Sequence, residues 1–174
     1  MVDLKEFEQK AADLRVLGMK ISIGQDTVYE KYWDEDCRRN IYSASKSFTS
    51  CAVGFAVQEG LIDLDERLMD AFKEDIPNNP DENLKKATVK DLLTMTLGQE
   101  KGFLMGKQRP RMEEQNWVKA SLAIPFVYEP GTHFVYNNVG PYLAGILVQR
   151  RAGCDLLSYL TPRLLKPLGI RKTI

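Results

Sequence analysis

The sequence has a single histidine, His133, so a multi-histidine metal site is impossible and any Ser-His-Asp triad depends on that one residue. Its three cysteines, Cys37, Cys51 and Cys154, are odd in number, far apart and without a C-x-x-C pair. That pattern gives no disulfide framework and no zinc motif, and it fits reduced thiols. Cys51 falls within an apolar helical stretch and reads as core. There is no net charge either: 24 basic side chains balance 24 acidic ones, so no overall field draws the chain to nucleic acid or an anionic membrane. The basic run "KQRPR" at 107–111 is local and reads as a solvated loop. No continuous apolar run opens the chain: "MVDLKEFEQK" alternates charged and apolar residues, which excludes a secretory signal or a membrane span there. As written, the expectation is a soluble, cytoplasmic chain. G-x-S-x-G is absent, and nothing marks an acidic partner for His133, so a His-based serine hydrolase is disfavoured. "GFLMGKQ" has the wrong glycine spacing for a phosphate loop and glutamine where Ser or Thr is needed.

What remains is a globular composition. With 44% hydrophobic residues, 174 residues can bury a real core and suit one domain or part of a larger one. Val2, Leu4, Phe7, Ala11 and Leu14 predict an amphipathic first helix. "MKISIGQDTVYEKYW" alternates on either side of "GQD", which predicts two strands and a short turn. From Ser43 to about Glu59, a stripe of Phe48, Cys51, Ala52, Phe55 and Ala56 predicts a largely buried helix closed by Gly60. "LIDLDERL" reads as the start of a short helix, "NNPDEN" as a loop, and Thr88 with Asp91 as a capping box for "VKDLLTMT". Gly98 to Arg111 is a long connection of the kind that is functional or mobile. A helix around Glu114 to Ala123 follows, then a Pro-Gly turn and a short extended piece in "YEPGTHFVYNN". An apolar helix ends at Gly153 and an interrupted one closes the chain. Two strands of a hairpin are rarely stable alone, so the sheet looks unfinished.

The chemistry centres on "NIYSASKSFTS". Residues three apart share a helix face, so the Lys46 amine can reach the Ser43 hydroxyl. Unpaired N–H groups at the start of a helix favour a developing oxyanion. Serine is a weak nucleophile until a base takes its proton, and a lysine needs a depressed pKa or a second group such as a tyrosinate to help it. The pair alone is cheap, because serine at a helix start is most often only a cap. A second element raises its standing: Tyr136 and Asn138 form Y-x-N in a turn just ahead of a helix, where side chains can project into a cleft. A phenol there can exchange protons with the serine, and a carboxamide can hold a substrate carbonyl. By itself, Tyr136 reads as a packing aromatic, and Asn137 or Asn138 as a turn residue.

In order along the chain, "IYSASKSFTSCAVGFAVQEGLIDLDERL", "TVKDLLTMTLG", "YEPGTHFVYNNVGPYLAGILVQRRAG" and "LLSYLTPRLLKPLGIRKT" resemble the serine β-lactamase-related family. That group contains class C β-lactamases, D-alanyl-D-alanine carboxypeptidases and related esterases. S-x-x-K is among the family's marks. The resemblance implies an α+β fold: a helical region like that of β-lactamases and penicillin-binding proteins, an N-terminal two-stranded piece of the antiparallel sheet, and the remaining C-terminal strands missing. Residues 1–174 would then be an incomplete domain of this kind. It further implies that Ser43 is the acylated nucleophile, that Lys46 assists its deprotonation, that Tyr136 is general base and acid, and that Asn138 contacts substrate. The substrate would be a small-molecule or peptide amide or ester, with no metal or organic cofactor, no nucleic acid and no membrane segment.

Two departures from the family pattern stand out. Met95 and Leu97 occupy positions where relatives usually carry histidine and serine. The resemblance also implies a third motif, K-T-G or H-x-G, on a later strand; Lys172 and Thr173 lack the following glycine and are not that element. The expectation is therefore a weak or inactive chain by itself, with self-association through the unfinished sheet. The competing reading is a non-catalytic, truncated relative serving as a binding module.

Overall fold

The computed structural model describes residues 3–35 and 37–170. The expected roles of Val2, Lys172 and Thr173 lie outside the described residues. The chain forms two compact units, Met1–Ile41 and Tyr42–Ile174.

The first unit holds helix α1 (Lys5–Asp13) and the strands β1 (Gly18–Ile23) and β2 (Asp26–Tyr32). The strands pair antiparallel from Gly18 opposite Tyr32 to Ile23 opposite Asp26, joined by a tight turn in which Gly24 takes φ +60°. The register shifts between Ile21, opposite Tyr29, and Ser22, opposite Thr27, so Val28 is the extra residue of a bulge. Helix and hairpin are held by polar contacts: the Tyr29 hydroxyl and the Lys31 ammonium both donate to the Glu8 carboxylate. Lys31 and then Tyr29 hold that carboxyl below its usual range, and burial with the nearby carboxylate pushes the Tyr29 phenol up to about 12. Phe7 meets Trp33 edge to face. Among the described residues of this unit only Ala11 is a fully buried apolar side chain, and Leu14, expected on the buried stripe, is exposed.

The second unit carries the apolar core. A short 3₁₀ turn (Tyr42–Ala44) leads into α2 (Ser45–Gln58), followed by α3 (Leu68–Ala71), α4 (Glu82–Lys86) and α5 (Val89–Thr94). After the long connection, with a 3₁₀ turn at Arg109–Arg111, come α6 (Trp117–Leu122), α7 (Val139–Ala152) and α8 (Leu156–Leu160), which runs into a π turn at Thr161–Leu165. The α2, α5 and α7 helices pack together. Val53, Leu92, Leu143 and Leu147 are almost wholly removed from water; burial of each such side chain stabilises by about 1.5–3 kcal/mol. Gly140 lets α7 approach α5, since a Cβ there would lie 2.3 Å from the Leu92 carbonyl oxygen. Local signals set the helix ends. Thr88 gives its backbone N–H and its hydroxyl to the Asp91 carboxylate, and Asp81, Asn116 and Asp155 accept first-turn N–H groups of α4, α6 and α8. Gly153 ends α7 at φ +68°.

Several expectations change in this unit, among them that "NNPDEN" is all loop, since Glu82 and Asn83 begin α4. Ser43 sits in the 3₁₀ turn, ahead of the α-helix rather than within it. Cys51 is exposed, because the buried face of α2 is formed by Ala52, Val53 and Ala56. In "LIDLDERL" only Leu68 is helical: the chain turns at Leu64 and Asp65, where Glu66 N–H donates to the Asp63 carbonyl, and the carbonyls of Leu64 and Glu66 accept the N–H groups of Lys90 and Val89 at the start of α5. The three cysteines are free and exposed. Among the described residues no helix is long and apolar enough to cross a membrane, and no three His, Cys, Asp or Glu side chains gather as metal ligands would. The architecture is mixed helix and strand with a two-stranded antiparallel sheet.

Candidate active site

The site begins with a backbone irregularity. Tyr42 takes φ +45°, an uncommon conformation for a non-glycine residue, and the chain then turns through Ser43 and Ala44 into α2. The Ser45 hydroxyl bonds back to the Tyr42 carbonyl at 2.6 Å and closes the turn. One turn further on, Lys46 reaches back and its Nζ donates to Ser43 Oγ at 3.1 Å. These contacts are local in sequence.

The third member comes from far along the chain. The Tyr136 hydroxyl donates to Ser43 Oγ at 2.6 Å, and the Lys46 ammonium stands 5.2 Å from the centre of the Tyr136 ring. Ser43 Oγ therefore receives two donors at once. Interaction with Ser43 first and with Lys46 second favours the phenolate and holds the Tyr136 phenol below its ordinary value of 10.0. Tyr136 remains 44% exposed, so a substrate can reach the group from solvent.

The segment carrying Tyr136 is extended but joins no sheet; other contacts fix it. Val135 N–H donates to the Met95 carbonyl at 3.0 Å, and Met95, in the left-handed region at φ +58°, caps α5. Gly102 lies directly against the Tyr136 carbonyl, where an added Cβ would come within 2.6 Å of the oxygen. Asn138 N–H donates to the Phe103 carbonyl at 3.2 Å. The Asn138 side chain is half-buried, and its Nδ2 contacts the Leu104 carbonyl at 3.0 Å and Met105 Sδ at 3.5 Å.

The structure thus brings Ser43, Lys46 and Tyr136 into one cluster. Asn138 is anchored to the 103–105 loop, with no described hydrogen bond to the other three. His133 stacks on Tyr128 at 4.2 Å and contacts the Thr132 hydroxyl, so its described contacts do not involve Ser43. Leu97, at one of the two departures from the family pattern, is a buried core residue. Sequence reasoning missed Gly102 and Asn137. Asn137 is 1% exposed, and the only signal for it was the doubled asparagine, which reads as turn chemistry. Tyr136 is exposed, Asn138 half-buried and Asn137 between them buried.

Comparison with known proteins concerns the chain as a whole. A family model described as Beta-lactamase matches residues 5–174. Monacolin J acid methylbutanoyltransferase of Aspergillus terreus is 31% identical over 157 residues, covering 79% of this chain and 37% of the relative. Lovastatin esterase of Penicillium rubens is 31% identical over 150 residues, covering 74% of this chain and 37% of the relative. Among solved structures, the octameric penicillin-binding protein homologue from Pyrococcus abyssi superposes with a TM-score of 0.70 at 26% identity, covering 98% of this chain and 44% of that one. The chain therefore spans well under half the length of these relatives.

Proposed function

The chain belongs to the beta-lactamase family, and from that premise we propose that it is the nucleophile-bearing part of a serine hydrolase that works through an acyl-enzyme. The observation that carries the reading is the pair of donors on Ser43 Oγ, Tyr136 at 2.6 Å and Lys46 at 3.1 Å. In its phenolate form Tyr136 accepts the Ser43 proton, and the Lys46 cation stabilises that phenolate. Ser43 Oγ bonds to the substrate carbonyl carbon as the carbonyl π electrons move to oxygen. Collapse of the tetrahedral adduct breaks the bond to the leaving group, which takes the proton from Tyr136. Water, or a second acceptor hydroxyl, then repeats the sequence in reverse: it gives a proton to Tyr136, attacks the ester carbonyl and releases Ser43. The Asn138 carboxamide, with its Nδ2 held by the Leu104 carbonyl and Met105 Sδ, offers its Oδ1 as an acceptor to a donor group of the substrate.

Esters come before β-lactams and D-alanyl peptides in this reading, because the relatives at 31% identity are named for an esterase and an acyltransferase. The test is intact-mass spectrometry after a fluorophosphonate and after p-nitrophenyl acyl esters. One adduct per chain, absent in Ser43→Ala, is expected; labelling that survives this substitution would refute the assignment.

We also propose that the hairpin recruits further β structure from a second copy. A two-stranded sheet is marginal alone, and Ile23, Val28 and Tyr32 are large exposed side chains on it. Light scattering of the purified chain at increasing concentration should show a rise in mass; a constant monomer mass would contradict this.

A further inference from the structure

Asn137 stands between the two residues of Y-x-N and is itself sealed from solvent. Its side-chain amide works in both directions. Nδ2 donates to the Val135 carbonyl at 2.7 Å, and Oδ1 accepts the Gly140 N–H at 2.8 Å in the first turn of α7. One planar group thus ties the residue before Tyr136 to a residue two beyond Asn138. Val135 is in turn bonded to Met95, and Gly140 is pressed against the Leu92 carbonyl, so both anchor points are tied to α5 and its C-cap. The dihedrals of Tyr136 and Asn138 lie inside this bracket.

We infer that Asn137 is a positioning residue for acyl transfer: its buried amide locks the backbone on either side so that the Tyr136 hydroxyl is held on Ser43 Oγ. The inference rests on the reading of Ser43 as nucleophile, but its geometric content is separate. An amide is needed because the bracket requires a donor on one side and an acceptor on the other. A simple helix cap would need the acceptor alone, and this difference makes the idea testable. The depressed titration of Tyr136, which arises from its contact with Ser43 and Lys46, reports whether the hydroxyl is in place.

The experiment uses the full chain with tyrosine labelled at ¹³Cζ, and assigns the Tyr136 resonance by its disappearance in Tyr136→Phe. Tyr136 is titrated in the parent protein, in Asn137→Ala and in Asn137→Ser, and both phosphonylation of Ser43 by a fluorophosphonate and its acylation by a p-nitrophenyl ester are timed in parallel. Serine keeps an acceptor for the Gly140 N–H without the reach to the Val135 carbonyl and adds no charge, so it preserves the cap and removes the bracket. In both variants the Tyr136 titration should rise to the ordinary tyrosine range near about 10, and acylation should slow by about 10²-fold, the usual result of a misplaced catalytic group. If alanine prevents folding, the serine variant decides alone. A Tyr136 titration in Asn137→Ser that matches the parent would overturn the inference and leave Asn137 as a cap. If the parent is never acylated while the Tyr136 titration still moves with Asn137, positioning stands and the hydrolase reading falls.

Discussion

The two arms that meet at Ser43 are built in different ways. The S-x-x-K arm is local: one 3₁₀ turn and the first turn of α2 bring Lys46 Nζ to Ser43 Oγ, and the Ser45 hydroxyl closes the turn on the Tyr42 carbonyl. The Y-x-N arm has no regular secondary structure of its own. Its position comes from the Met95 carbonyl, the missing side chain of Gly102, the Phe103 carbonyl and the buried Asn137 amide. A helical turn delivers the first arm wherever the sequence is helical. The second exists only when the core around α5 and α7 has formed, so the proton-handling half of the site depends on tertiary packing and the nucleophile half on local structure.

The sharpest way to break this contrast is at the phenol. Tyr136→Phe removes the proton acceptor with little change in shape, and phosphonylation of Ser43 by a fluorophosphonate, like its acylation by an ester, should slow by roughly 10²–10⁴-fold, the range for general acid–base groups. Lys46→Met comes next. Ser43 contributes most to the lowering of the Tyr136 phenol and Lys46 adds to it, so loss of the cation raises the phenol. Phenolate forms as pH rises, so reaction at Ser43 near neutral pH should fall, by less than in Tyr136→Phe, and recover as pH is raised. A pH–rate profile that keeps its inflection in Lys46→Met would remove the lysine from this role.

Gly102→Ala tests the tertiary arm without touching a titrating group. The new Cβ would lie 2.6 Å from the Tyr136 carbonyl oxygen, so the segment has to move; a displacement of about 1 Å can cost roughly 10²-fold in rate. Acylation should slow by that order while the Ser43 and Lys46 turn, followed by hydrogen exchange of the α2 first-turn amides, stays unchanged. The smallest effect belongs to Cys51→Ser. Since Cys51 is exposed on α2, the change should shift stability by no more than about 0.5 kcal/mol in a denaturant titration. A loss of several kcal/mol would restore Cys51 to the core.

The same contrast explains what could be read in advance. Alternation on either side of "GQD" announced the hairpin, and the Thr88 with Asp91 spacing announced the start of α5, because both are short-range rules. The bulge at Val28 left no mark, since a two-residue period tolerates one extra residue. Apolar spacing gave α2 but not its rotation: Cys51 and Ala52 are adjacent and equally apolar in a sequence pattern, and only the partner helix decides which is covered. "LIDLDERL" has the composition of a helix, yet the N–H groups of Val89 and Lys90 claim its carbonyls, a demand that no local pattern carries. At the site, S-x-x-K and Y-x-N could be named from residue types. Gly102 and Asn137 could not, because one acts by having no side chain and the other looks like any turn asparagine.

The central claim is that Ser43 is a nucleophile activated across the two arms. It is tested most directly by treating the chain with a fluorophosphonate, digesting it and locating the adduct by peptide mass spectrometry, with Tyr136→Phe treated beside it. The account predicts modification at Ser43, proceeding at least about 10²-fold more slowly in the variant. An adduct on any other serine, or equal rates in the two proteins, would contradict it.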